Sequence, residues 1–305
     1  NKEYNLYATA AFGLEGIVGA ELKRLKMQNV RAELGGARFT GTLTDAFLCN
    51  LRLRSADRVL IVLAEDECRT FEELFQLVKS IAWEDIMPAD AKINVSGKCV
   101  RSQLMSVRDC QAITKKAIIE RLKVATHRAV FPETGAVYPI DVAIHSDRAR
   151  ITLDTSGEAL NRRGYRTWNG EAPLRETLAA AMITLAHYRG REFLWDGFCG
   201  SGTIPIEAAL IARNQAPGMY RRFSAEAFPW VEAKIWGDVR TEMRDKEFKG
   251  NYRILGSDND PKCISLSMAN ARKAGVDRLI TFRDGDATKM SLPSDAGIFI
   301  SNPPY

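Results

Sequence analysis

The chain offers little that could hold a metal. Its six cysteines (Cys49, Cys68, Cys99, Cys110, Cys199 and Cys263) contain no CxxC pair, and its three histidines are scattered. A zinc site has no ligand set here, so no metal is expected. Cysteine usage of this kind suits a reducing compartment, and a cytoplasmic protein is the expectation. No apolar run approaches the roughly 18 residues a membrane-spanning helix needs, and no signal-peptide layout opens the chain. No membrane role is therefore expected. Residue 1 is Asn rather than Met, so the start reads as trimmed. Internal repeats and low-complexity tracts are also lacking.

What is present is an ordinary mix of apolar and charged residues over 305 positions, enough for two or three domains. The net charge of +5 is small but unevenly placed. Lys98, Arg101, Arg108, Lys115, Lys116, Arg121, Lys123 and Arg128 are opposed locally by Asp109 and Glu120 alone, a local excess of six positive charges. Such a footprint attracts a phosphate backbone, although a solvated helix face would look the same.

Hydrophobic periodicity divides the first half into two α+β units. In residues 1–64, a strand over 4–9 precedes a helix over 13–26, in which Leu14, Ile17, Val18, Leu22 and Leu25 recur at helical spacing. A hairpin over 30–41 turning at Gly35-Gly36, a short helix over 44–51 and a strand over 58–64 complete that unit. Residues 65–156 carry a helix over 70–81, a strand over 92–95, a basic helix over 106–123 and paired strands over 137–145 and 148–154. Residues 157–176 form a linker rich in arginine and aromatic residues, including Arg162, Arg163, Tyr165, Arg166 and Trp168. These side chains could touch nucleic acid or merely connect. Pro173 is placed to open an Ala-rich helix over 174–187.

From residue 177 onward the pattern changes to strands that end in acidic or amide residues. Residues 192–196 run as a strand into Gly197-Phe198-Cys199-Gly200-Ser201-Gly202-Thr203, and a helix follows to Arg213. A strand, a glycine turn and a helix let a ligand approach the backbone closely. The spacing is GxxGxG, which is not the dinucleotide fingerprint, and Asp196 before the turn suits an amino-bearing ligand better than a pyrophosphate. Two later strands end at Asp258-Asn259 and at Asp286-Ala287. Asn214 to Gly250 is long for a crossover, and its basic and aromatic residues (Tyr220, Arg221, Arg222, Phe223, Phe228, Trp230) suit either a nucleotide clamp or an aromatic plug.

The last strand, over 296–300, runs into Ser301-Asn302-Pro303-Pro304-Tyr305. Two prolines end ladder pairing and stiffen the backbone at a strand's carboxyl end, where open α/β sheets bind ligands. An exocyclic amine has two N–H donors. The Asn302 amide oxygen and the Pro303 carbonyl could each accept one of them, while the Tyr305 ring stacks on a flat substrate.

The tetrad from Asn302 to Tyr305 resembles motif IV of the amino-methyltransferases, and Asp196 to Thr203 resembles motif I of S-adenosylmethionine enzymes. With the linker wording from Leu160 to Glu176, the chain resembles the family of THUMP-containing ribosomal RNA guanine-N2 methyltransferases. That resemblance implies a Rossmann-like class I methyltransferase domain over 177–305, preceded by ferredoxin-like and THUMP domains. S-adenosyl-L-methionine would be the cofactor, held by Asp196, Gly197, Cys199, Gly200, Ser201, Gly202, Thr203, Asp258 on the ribose, Asn259, Asp286 and Ala287 at the adenine, and Asn302. Asn302, Pro303, Pro304 and Tyr305 would be the catalytic group. RNA would be the partner, met by Lys98, Arg101, Arg108, Lys115, Lys116, Arg162, Arg163 and Arg166. Gly197 departs from the family, which usually has proline there. Four strands are countable where the class has seven, so a C-terminal segment is expected beyond Tyr305. Two other readings stay open: adenine N6 of DNA as the target, and a non-catalytic RNA-binding module that keeps the cofactor fold.

Overall fold

In β6 (Val137–His145) Tyr138, Ile140, Val142 and Ile144 are buried while the residues between them are not. This two-residue period belongs to a sheet with one face on a core. The structure, a computed structural model, describes residues 2–167, 173–293 and 296–304. Trp168 and Tyr305, together with Ala172 in the linker, lie outside the described residues.

The first half runs β1 (Tyr4–Thr9), α1 (Glu15–Arg24), β2 (Gln28–Glu33), β3 (Gly36–Gly41), α2 (Leu43–Arg52), β4 (Arg58–Glu67), α3 (Phe71–Lys79), β5 (Lys92–Val100), α4 (Val107–Thr126), β6 and β7 (Arg148–Asp154). All seven strands join one sheet in the order β2-β3-β1-β4-β7-β6-β5. Every pairing is antiparallel except β5 with β6. The seam between the two α+β units is β4: its start, residues 58–61, pairs with β1, and residues 60–67 pair with β7. The ten-residue β4 extends past the strand expected over 58–64, and β5 extends well past 92–95. Helices α2 and α3 begin with reciprocal capping boxes, Thr42 with Asp45 and Thr70 with Glu73, each satisfying two otherwise orphaned N–H groups.

The second half runs α5 (Glu176–Leu185), β8 (Leu194–Asp196), α6 (Thr203–Arg213), α7 (Ala233–Asp245), β9 (Ile254–Asp258), α8 (Pro261–Ala274), β10 (Thr281–Asp284) and β11 (Ile298–Phe299). Its strands are all parallel, in the order β10-β9-β8-β11. Strand order reverses between β8 and β11, which makes the crevice above their carboxyl ends the switch point where ligands bind in such sheets.

Within residues 214–250, Phe223, Phe228 and Trp236 are buried against the first half as an aromatic plug, whereas Tyr220, Trp230 and Phe248 stay exposed. Trp236 of α7 stacks on Phe47 of α2 at 4.1 Å, and Phe228 stacks on Tyr138 at 4.5 Å. Phe223, Phe228, Trp236, Val239 and Met243 belong to the core of the first half. Arg221 turns inward, donating to the backbone oxygens of Ser156, Glu158, Ala159 and Arg162 at 2.7–3.3 Å. Arg52 and Arg54 of the first half reach the backbone oxygens of Asn214 and Gln215.

Candidate active site

At the switch point lies a cleft of about 410 Å³, within the range of small-molecule sites. It is lined by Asp196, Phe198, Cys199, Gly200, Ser201 and Thr203 from the end of β8 and the start of α6, and by Asn302 beyond β11. Lys262, Cys263 and Leu266 of α8 form another wall, and Arg166, Thr167, Pro173 and Leu174 of the linker form a third. Asp196, Cys199, Gly200, Ser201, Thr203 and Asn302 thus meet in one cavity, as the sequence suggests. Pro303 and Pro304 follow on the surface, exposed.

Asp196 is buried at the floor. Its Oδ1 accepts the Ser301 hydroxyl at 2.6 Å and the Phe198 N–H at 3.1 Å. Burial pushes its carboxyl up to about 6, the two hydrogen bonds hold it down, and the nearby Asp258 adds to the rise. Ser301 sits inside the motif, but the residue pattern assigns it no role. Its pairing with Asp196 becomes visible only once β11 lies beside β8.

The glycine turn shows why those residues stand there. Gly200 and Gly202 both adopt positive φ, +55° and +84°. A side chain on Gly200 would meet nothing within 4 Å, because that face opens on the cleft, whereas one on Gly202 would approach Ser267 of α8 to 2.9 Å. Gly202 is the N-cap of α6 and supplies no side-chain acceptor, so the positive end of this helix is left to a ligand. A Cβ at Gly197 would lie 3.1–3.2 Å from Ala287, Phe299 and Trp195. The departure from proline at this position therefore goes with close packing of the turn against the β10 and β11 ends. Cys199 is buried against Ser267, and burial pushes its thiol up far above the ordinary range. It is a packing group, with no nucleophile's environment.

The remaining acidic positions are placed differently from one another. Asp258 stands behind the turn, accepting from the Gly200 N–H at 3.0 Å and the Asp260 N–H at 3.0 Å. Asn259 is exposed beside it. Asp286 lies apart from the cleft lining, exposed, with its Oδ1 taken by the N–H and hydroxyl of Thr288. Those bonds hold its carboxyl below the usual range. Ala287 packs over Gly197.

Two of the expected RNA contacts are corrected by the structure. Arg163 is 3% exposed and paired with Glu207 of α6 at 2.6 Å, while also donating to the Leu160 and Arg54 carbonyls. Arg166 is turned into the cleft wall, beside Glu176 and Thr203. Buried and fully engaged, the Arg163 guanidinium cannot reach a phosphate. Lys115 is half-buried and paired with Glu133 at 2.9 Å. Lys98, Arg101, Arg108, Lys116 and Arg162 are exposed. Among the described residues no group of three or more His, Cys, Asp or Glu is placed to hold a metal, and no helix is long and apolar enough to cross a membrane.

A parallel sheet with a glycine turn after its first strand, a buried acid before the turn and an Asn-Pro-Pro end on the neighbouring strand defines an S-adenosylmethionine-dependent methyltransferase. Comparison with known proteins agrees. Family models match in chain order: the RlmL ferredoxin-like domain over residues 5–60, the THUMP domain over 68–154, and the RMKL-like methyltransferase domain over 163–305. The chain is 40% identical to the Bacillus subtilis protein named "Putative RNA methyltransferase YpsC", covering 100% of this chain and 80% of that one. It is 33% identical to the Vibrio campbellii "Ribosomal RNA large subunit methyltransferase K/L" over 98% of its own length, but spans 43% of that relative. A solved Listeria monocytogenes structure, described as a "predicted N6-adenine-specific DNA methylase", superposes with a TM-score of 0.96 at 43% identity, covering 100% of this chain and 80% of that one. SMU.472, described as a "putative methyltransferase complexed with SAH", superposes at 0.93 with 38% identity, covering 100% and 81%. The chain belongs to the family of THUMP-containing methyltransferases with an RMKL-like catalytic domain, and its cofactor is S-adenosylmethionine.

Proposed function

We propose that this protein methylates the exocyclic N2 of a guanine in large-subunit ribosomal RNA. The observation that carries the reading is the meeting of Asn302 with Asp196 in one cleft, joined through the Ser301 hydroxyl. When bound, the cofactor supplies an electrophilic methyl group on a sulfonium. The protein's part is orientation. Asn302 and the Pro303 carbonyl accept the two N–H groups of the target amine, so its lone pair points toward the methyl group. A base reaches the cleft only after leaving its stack. Positioning and fixed dipoles supply the catalysis, with no covalent nucleophile and no strong general base required.

RNA is favoured over DNA as substrate by the THUMP match, by the RNA methyltransferase names of the Bacillus and Vibrio relatives and by the exposed cations Lys98, Arg101, Arg108, Lys116 and Arg162. In this reading residues 1–64 form the ferredoxin-like unit, 65–156 the THUMP-like unit that holds the RNA, 157–176 link, and 177–305 transfer the methyl group. Adenine N6 of DNA is the rival target, and the description of the Listeria structure names it.

The test uses radiolabelled S-adenosylmethionine with ribosomal RNA from cells lacking the enzyme and with duplex DNA. Label should enter RNA at guanine N2, and Asn302→Ala should lose transfer at least a hundredfold while still binding cofactor and RNA. Label in DNA adenine would overturn the substrate. Unchanged turnover in the variant would overturn the role of Asn302 and favour a module that binds without catalysing.

A further inference from the structure

Arg166 was expected outside, on nucleic acid, and the fold instead sets it in the wall of the cofactor cleft. Its Nη2 donates to the Thr203 hydroxyl at 2.6 Å and to the Leu174 carbonyl at 2.7 Å. Thr203 is the first residue of α6, so the guanidinium stands at the end of that helix where uncapped N–H groups face the cleft. Its Nε lies 3.3 Å from Glu176 Oε1, yet this buried N–H finds no acceptor in hydrogen-bond geometry. Glu176 balances the charge without satisfying the donor. The next residue is fixed as well: the Thr167 N–H donates to Asn270 Oδ1 at 3.2 Å, and Lys273 donates to its hydroxyl at 2.8 Å. The linker is thus strapped to α6 and α8 with Arg166 held at the cavity.

The cleft therefore carries opposite charges on two sides, the Asp196 carboxylate on the floor and the Arg166 guanidinium beside the α6 N-terminus. An α-amino acid is a zwitterion, and a site for it needs one group of each sign. An acid beside the glycine turn serves the ammonium. A guanidinium in the cleft wall beside a helix N-terminus serves the carboxylate, and a charge-assisted bond is the strong kind. We propose that Arg166, with the uncapped N-terminus of α6, binds the carboxylate of the cofactor's amino-acid end. The proposal rests on the cleft being the cofactor site and assigns within it a residue that neither the glycine turn nor the strand ends contain.

Titration calorimetry on the purified chain tests this with two ligands, S-adenosylmethionine and its decarboxylated analogue. The analogue keeps the adenosine, the sulfonium and the ammonium and lacks only the carboxylate. Arg166→Gln should weaken S-adenosylmethionine roughly ten- to a hundredfold and leave the analogue within about twofold of its wild-type affinity. Arg166→Lys should recover part of the loss. Because Arg166→Gln leaves the Glu176 carboxyl buried beside a neutral group, the double variant with Glu176→Gln is measured too and should show the same ligand discrimination. Equal weakening of both ligands in the single and double variants would mean a purely structural role and overturn the proposal. Unchanged affinity for both would overturn it as well. Failure of the wild type to bind either ligand would instead overturn the assignment of the cleft, and the proposal with it.

Discussion

Asp196 holds its proton more tightly in the folded protein than in the unfolded chain, because burial raises its carboxyl to about 6 from an ordinary value near 4. The sign for stability follows: the folded state binds more protons between those values, so this group weakens the fold as pH climbs from about 4 to about 6 and changes nothing further above that. Ligand binding runs the other way. A ligand ammonium needs the ionised carboxylate, so affinity should grow as pH rises through about 6. Wild-type protein should bind S-adenosylmethionine roughly tenfold more weakly at pH 5 than at pH 7.5, since only about a tenth of the carboxyl is ionised one unit below its pKa. Asp196→Asn should bind weakly at both values with a flat profile, and calorimetry at the two pH values checks it. A profile just as steep in the variant would place the titrating group elsewhere. At this scale the sequence was readable where a residue's job is local. Gly200 and Gly202 are required by backbone conformation and close packing, and Asn302 by the proline-stiffened strand end. Ser301 and Arg166 were not readable, because their partners lie 105 and 37 positions away and only the fold brings them together.

Among elements, those with strong periodicity and clear caps are legible within a few residues, whereas Pro173 misleads. It suits the first position of a helix, yet α5 begins at Glu176: Arg175 is its extended N-cap, and Leu174 lines the cleft and offers its carbonyl to Arg166. Helix α7 is the larger omission. The stretch from Asn214 to Gly250 mixes basic and aromatic residues as a nucleotide clamp would, and composition cannot tell which side chains turn inward. Trp236 and Phe228 are almost fully buried and stacked on Phe47 and Tyr138, whereas Trp230 is 38% exposed. Phe228→Ala and Trp236→Ala should each cost about 3–5 kcal/mol in denaturant unfolding, from lost burial and the cavity left behind. Trp230→Ala should cost less than about 1 kcal/mol. If instead Trp236→Ala unfolds like wild type and loses RNA binding, the insertion would be a substrate clamp after all.

For the whole molecule, the readable feature was the contrast between a basic α+β half and an acid-lined parallel half. The hidden one was that the halves are stitched into a single body. The two N-terminal units share one sheet through β4, and the plug around α7 joins that sheet's core to the sheet bearing the cleft. Such a body sets the distance between a basic surface and the cleft, so RNA grip and cofactor binding should be separable by mutation even though the parts are packed together. Replacing Arg101, Arg108 and Lys116, all exposed, with Gln should weaken RNA binding and make it less salt-sensitive. If all three touch phosphates, the slope of log affinity against log salt should shrink by about 2, given roughly 0.7 per phosphate contact on single strands. Affinity for S-adenosylmethionine should stay unchanged, because none of the three lines the cleft. Filter binding across a salt series, paired with calorimetry, separates the outcomes. A slope equal to wild type would move the RNA path off this surface and toward the remaining exposed cations, of which Arg162 on the linker lies nearest in sequence to the cleft-lining Arg166.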